Sequence, residues 1–125
     1  MTFILKNESP ILKVISWIIY ICQIVSYTVT FSANPGIPDT SMSINNESNK
    51  NFKGSICKRC GICIPKGKRV VHCDDCDVCI VGYDHHCPWT SKCIGRGNML
   101  SFQAFITFTM IFFGFLIFSV AIMKK

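Results

Sequence analysis

The chain has 125 residues, half of them hydrophobic, with 13 Lys and Arg against 7 Asp and Glu and a formal net charge of +6. The hydrophobic residues gather at the two ends and leave about 65 polar residues between them. That stretch is too short for a fold held by an extended apolar core, so it needs a staple.

Residues 1–13 form an N-terminal segment. Residues 14–33 carry no formal charge, and neither do residues 99–123, after which Lys124 and Lys125 form a tail at 124–125. Each run reaches the ~20 apolar residues needed to cross a bilayer as a helix. A soluble core helix would carry a polar stripe, and the second run offers only Ser101, Gln103, Thr107, Thr109 and Ser119. A signal peptide has an apolar stretch of only ~7–15 residues, shorter than the first run. Two transmembrane helices are therefore predicted. Between them, residues 34–51 are rich in Ser and Asn and read as a flexible linker. Residues 52–98 hold every one of the nine cysteines except Cys22, together with all three histidines. No repeat of solenoid length is visible, although the Cys-x2-Cys unit recurs.

The basic residues Lys50, Lys53, Lys58, Arg59, Lys66, Lys68, Arg69, Lys92 and Arg96 outnumber the acids of this central segment. A loop tethered to a membrane at both ends meets anionic headgroups or an anionic soluble substrate rather than nucleic acid. The basic loop and its unpaired thiols place it on the reducing, cytosolic side, with both termini opposite. The sequon Asn46-Glu47-Ser48 would then go unused.

The cysteines and histidines are spaced for metal. They read Cys57-x2-Cys60, His72-Cys73-x2-Cys76-x2-Cys79, Asp84-His85-His86-Cys87-Pro88-Trp89 and Cys93. Zinc takes four soft ligands, and Cys-x2-Cys lets one tight turn present two of them. Neighbouring side chains of an extended segment point to opposite faces, so His72 and Cys73 serve different metals and the two sites interleave. Cys57, Cys60, His72 and Cys79 form one set, and Cys73, Cys76, His86 and Cys93 the other. Two such sites, each with three thiolates, would bring the net charge to about +4. Iron–sulfur clusters mostly use all-cysteine sets, and the adjacent His72-Cys73 pair breaks the usual order of a ubiquitin-ligase RING.

Cys87 is left over, and Pro88 biases it toward an extended backbone. There His85 lies on the face of Cys87 and His86 on the other. His85 can take the thiol proton and create a nucleophilic thiolate, with Asp84 orienting the imidazole as the third member of a triad does. Strict alternation puts Asp84 on the wrong face, so this reading demands a local turn. A ninth, structural cysteine is the plainer alternative, and the His85–Asp84–Pro88 setting favours the reactive one.

From Cys57 to Phe102 the chain resembles the cysteine-rich domain of the DHHC protein S-acyltransferases, or palmitoyltransferases. The resemblance rests on the residues above together with Gly95, Asn98 and Phe102, and on Asn34-Pro35-Gly36, which is similar to the family's Asp-Pro-Gly motif. It implies an α-helical, multi-pass endomembrane or plasma-membrane protein. Two transmembrane helices would flank a small loop-rich two-zinc domain with short β-hairpins facing the cytosol. It implies two structural zinc ions, acyl-CoA such as palmitoyl-CoA as co-substrate, and Cys87 as the acyl-carrying nucleophile that passes the acyl group to membrane-proximal cysteines of protein substrates. Lys92 and Arg96 are candidates for contact with the CoA phosphates. The chain departs from the family's pattern at Asn34, where the family has aspartate, and in a loop about two residues longer between Cys60 and His72. It also ends before the fourth helix and the Thr-Thr-x-Glu motif. That ending reads as a truncated or short form, working as a homo- or hetero-oligomer because two helices offer only two walls to an acyl chain. The alternative function is a zinc-structured, non-catalytic membrane scaffold or partner subunit of a complete acyltransferase.

Overall fold

The computed structural model describes residues 9–39 and 54–123. Residues 40–51 of the expected linker, the sequon at Asn46, and Lys50, Lys53, Lys124 and Lys125 lie outside the described residues. Among the described residues helix α1 spans Pro10–Ser32, six short strands follow, and α2 spans Met99–Met123. The chain divides into two units, one of residues 1–29 and 101–125, the other of residues 30–100.

Helix α1 begins four residues before the uncharged run that announced it. Ser9 caps it, its Oγ accepting from the Leu12 amide at 3.4 Å, and Pro10 takes the first helical position. Proline is well placed there, because its missing N–H would have no partner in the helix anyway. Lys13 is thereby drawn into the first turns. With 23 and 25 residues, both helices exceed the ~30 Å of a bilayer core at ~1.5 Å per residue. Their apolar side chains face outward: Ile117 is 72% exposed and Met110 68%. A helix from a soluble core would bury those residues, so the pattern is that of helices made for lipid. Within this unit the two helices run antiparallel. Gln23 Nε2 donates to Thr109 Oγ1 at 2.8 Å, and Tyr27 packs on Phe105 with ring centroids 5.5 Å apart.

The second unit is built of three two-stranded antiparallel hairpins. Strands β1 (Gly54–Ile56) and β2 (Cys63–Pro65) form the first, β3 (Val70–Cys73) and β4 (Val78–Val81) the second, β5 (His85–Cys87) and β6 (Lys92–Ile94) the third. The apolar core is small: Ile80, Cys73 and Cys93 are buried, with Cys76, Val78 and Tyr83 packed around them. So few side chains cannot hold a domain of this length unaided.

The segment after α1 is stitched to the hairpins through its backbone. The Val81 amide donates to Gly36 O at 2.8 Å, and the Gly97 amide to Pro35 O at 3.1 Å. Asn34 Oδ1 accepts from the amides of Gly36 and Ile37, each at 2.8 Å. Asparagine thus supplies the acceptor oxygen that an aspartate would supply here, without the charge. Asn98, fully buried, accepts from the Gly95 amide and donates to Cys93 O. A Cβ on Gly97 would overlap the Asn34 carbonyl oxygen, a backbone atom with nowhere to go. Gly97→Ala is therefore expected to cost roughly 2 kcal/mol or more, read as a lowered melting temperature in detergent; an unchanged melt would show that this junction yields.

Candidate metal centre and active site

Each hairpin sorts its side chains by alternation. His72 pairs with Cys79 across β3 and β4, and His86 with Cys93 across β5 and β6, so each pair shares one face of its hairpin. Cys73, next to His72, falls on the opposite face. The structure consequently gathers two donor clusters, Cys57, Cys60, His72 and Cys79 in one, Cys73, Cys76, His86 and Cys93 in the other. In each cluster the donor atoms lie within 4.8 Å of one another.

These clusters fit zinc. With Zn–S near ~2.3 Å and Zn–N near ~2.0–2.1 Å, a tetrahedral ion holds its sulfur and nitrogen ligands ~3.6 Å apart. His72 Nδ1 lies 3.7, 3.2 and 3.9 Å from the sulfurs of Cys57, Cys60 and Cys79. His86 Nδ1 lies 3.8, 3.3 and 3.8 Å from those of Cys73, Cys76 and Cys93. The electrostatics ask for a cation as well. The amide of Cys60 holds the Cys57 thiol down to about 7 against the effect of burial. Cys79 is pushed up to about 12 by burial and by the sulfurs of Cys57 and Cys60. Burial and the sulfurs of Cys73 and Cys76 raise Cys93 in the same way. A dication at the centre removes that conflict and lets every thiol ligate as thiolate. Asp77 and Asp74 carboxylates stand 3.3 and 3.7 Å from His72 Nε2, where carboxylates orient a metal-bound imidazole.

Cys87 belongs to neither cluster. It is 3% exposed at the end of β5, on the face opposite His86. Asp84 precedes β5, so strand alternation does not bind it. Its amide donates to Ile94 O at 2.9 Å, and its Oδ2 lies 2.8 Å from His85 Nδ1. Asp84 thus reaches the imidazole from outside the strand, and with Nδ1 occupied by Asp84 the ring leaves Nε2 for the thiol. The Asp84 carboxylate raises the His85 pKa, against burial, with Cys87 adding to the rise. Burial works to raise the Cys87 thiol. Hydrogen bonds from the Thr90 hydroxyl, the His85 ring and the amides of Thr90 and Trp89 outweigh it, and the net shift is downward. A lowered thiol beside a raised imidazole eases transfer of the thiol proton to the ring.

The two expected phosphate contacts part company. Lys92 Nζ donates to Phe31 O at 2.5 Å and Ala33 O at 2.7 Å. It thus satisfies carbonyls at and just past the end of α1, and its ammonium is engaged there rather than free for a phosphate. Arg96 is exposed and lines a cleft of about 390 Å³ with Lys66, Lys68 and Arg69, no acidic side chain among them. In sequence alone Lys66, Lys68 and Arg69 are basic residues of the loop with no site assigned to them. The signal was the Lys66-Gly67-Lys68-Arg69 turn, which brings three cations together. Nothing in the sequence singles out Thr90, whose approach to Cys87 depends on the β5–β6 turn.

The sequence model of the DHHC palmitoyltransferase family matches residues 50–124. Palmitoyltransferase pfa3 of Aspergillus fumigatus is 31% identical over 116 residues, covering 80% of this chain and 21% of that protein. Palmitoyltransferase pfa3 of Emericella nidulans is 28% identical over 121 residues, covering 80% and 22%. Palmitoyltransferase ZDHHC2 of Homo sapiens is 38% identical over 65 residues, covering 50% and 17%. The chain spans about a fifth of the length of these curated relatives.

Proposed function

The chain belongs to the DHHC palmitoyltransferase family, and on that premise we propose that it moves a long-chain acyl group from acyl-CoA to protein cysteines through an acyl-Cys87 intermediate. One observation carries the reading: a buried thiol outside both donor clusters, hydrogen-bonded to an imidazole that a carboxylate orients.

In the first step Cys87 Sγ attacks the thioester carbonyl, the bond from the carbonyl carbon to the CoA sulfur breaks, and His85 returns the thiol proton to the departing CoA. In the second, a substrate thiol gives its proton to His85 and its sulfur takes the acyl group, restoring the Cys87 thiol. Each step exchanges one thioester for another, so positioning and thiolate formation do the work rather than a large driving force. Asp84 keeps the imidazole in the needed tautomer. Two structural zinc ions, one per donor cluster, would serve as crosslinks that hold the hairpins. The cleft of Arg96, Lys66, Lys68 and Arg69 suits the CoA phosphates, which demand several cations in reach of one another. Residues 88–98 alone separate Cys87 from α2 in sequence, so the acyl tail can enter the membrane, gaining ~0.8 kcal/mol per buried CH2. We place residues 34–98 on the cytosolic side, where the unpaired thiols stay reduced.

The test is to mix purified protein in detergent with palmitoyl-CoA. A hydroxylamine-sensitive label is expected on the wild type and none on Cys87→Ala. Undiminished labelling of Cys87→Ala would move the reactive thiol elsewhere and end this reading.

A further inference from the structure

Strand β6 is fastened on both sides to the segment that leaves α1. Just past its C-terminal end, the Gly97 amide donates to Pro35 O at 3.1 Å. At its first residue, half-buried Lys92 sends Nζ to Phe31 O at 2.5 Å and to Ala33 O at 2.7 Å. The same ammonium stands 5.8 Å from the centre of the Phe31 ring. Residues 30–100 form one unit, so both attachments lie inside it. The last turn of α1 has no basic residue of its own. Carbonyls at a helix C-terminus carry partial negative charge and attract a cation. Lys92 brings that cation from about sixty residues away in sequence.

Across the hairpin, Lys92 is the register partner of Cys87. Side chains directly opposite each other in an antiparallel pair share a face, with Cβ atoms ~4.5–5.5 Å apart. The thiol and the stem of the lysine therefore leave the hairpin side by side, on the face opposite His86 and Cys93. We propose that Lys92 is a positioning residue for long-chain acyl transfer: its ammonium moors the rung that carries Cys87 to the end of α1, where the lipid tail gives way to the thioester. This rests on the reading of Cys87 as the acyl carrier. A long-chain acyl-CoA has two ends to satisfy at once. Its tail goes with the membrane, while its thioester carbonyl must meet Cys87 Sγ, and a misplacement of about 1 Å between them costs up to about a hundredfold in rate. A short acyl group has no tail to place and needs only the local geometry of Cys87 and His85. The Lys92 ammonium is spent on backbone carbonyls, so it acts on where the thiol sits and leaves the exchange chemistry to other groups.

The experiment follows Cys87 acylation by palmitoyl-CoA and by butyryl-CoA in the full chain in detergent, for wild type, Lys92→Met and Lys92→Arg. Zinc content and thermal melt confirm the fold. Lys92→Met keeps the apolar stem and loses the ammonium. It is expected to slow palmitoyl transfer roughly ten- to a hundredfold and to leave butyryl transfer within about threefold. Lys92→Arg restores a cation with several donors and is expected to recover most of the palmitoyl rate. Equal losses with the two thioesters overturn the proposal, because a lost phosphate contact or a loosened site acts on either chain length. A Lys92→Met variant at the wild-type palmitoyl rate overturns it too. Amine acetylation of the wild type is the second measurement: Lys92 is expected to react several-fold more slowly than the exposed Lys66 and Lys68. Equal reactivity shows that Lys92 is not moored and overturns the proposal even where Lys92→Met fails to fold. If the wild type carries no Cys87-dependent label from either thioester, the acyl-transfer reading fails instead, and the amine reactivities still decide whether the mooring exists.

Discussion

His85→Ala is expected to lower the rate of Cys87 acylation roughly 10²–10⁴-fold while both donor clusters keep their zinc. His86→Ala is expected to act in the opposite order, losing one zinc and loosening the third hairpin, with acylation falling as a consequence. The two histidines are neighbours on one three-residue strand, so composition and burial cannot separate them. Strand alternation does: His86 faces Cys93 and the second cluster, whereas His85 shares its face with Cys87 and has its Nδ1 2.8 Å from Asp84. The measurement is zinc per chain and the rate of hydroxylamine-sensitive labelling on the same preparations. Loss of zinc and of labelling together in both variants would end the account by alternation. Asp84→Asn should follow His85→Ala in direction, since it keeps the contact but favours the wrong tautomer.

That separation is legible in the sequence, because His72-Cys73 and His85-His86 are adjacent and adjacent side chains of a strand diverge. The gathering of eight donors into two interleaved sets follows from the same rule. Two features were hidden for physical reasons. The position of Asp84 depends on where β5 begins, and a strand three residues long carries too little pattern to mark its own first residue. The engagement of Lys92 depends on tertiary approach: its ammonium reaches the carbonyls of Phe31 and Ala33, about sixty positions away in sequence. A basic residue beside an active site looks the same in sequence whether it meets a phosphate or the open end of a helix.

The two clusters should differ in what their loss does to chemistry. Cys93→Ser is expected to abolish labelling of Cys87, whereas Cys57→Ser should leave labelling measurable. A structural zinc site contributes on the order of ~10–16 kcal/mol, as much as the ~5–15 kcal/mol stability of a whole domain, so losing either ion frees the elements that only it holds. The second cluster draws His86 and Cys93 from the hairpin that carries Cys87, and Cys93 O is also held by buried Asn98. Without that ion, the strand bearing Cys87 loses the crosslink that fixes it to β3. The first cluster ties the β1–β2 hairpin to the face of His72 and Cys79. Its loss frees the first knuckle, while β3 and β4 remain paired over four residues and remain joined to β5 and β6 through the second ion. Labelling, zinc content and protease resistance of the two variants measured side by side decide the matter. Equal loss of labelling in both would mean that the domain folds as one indivisible two-metal unit, and the hierarchy argued from the ligand sets would be wrong.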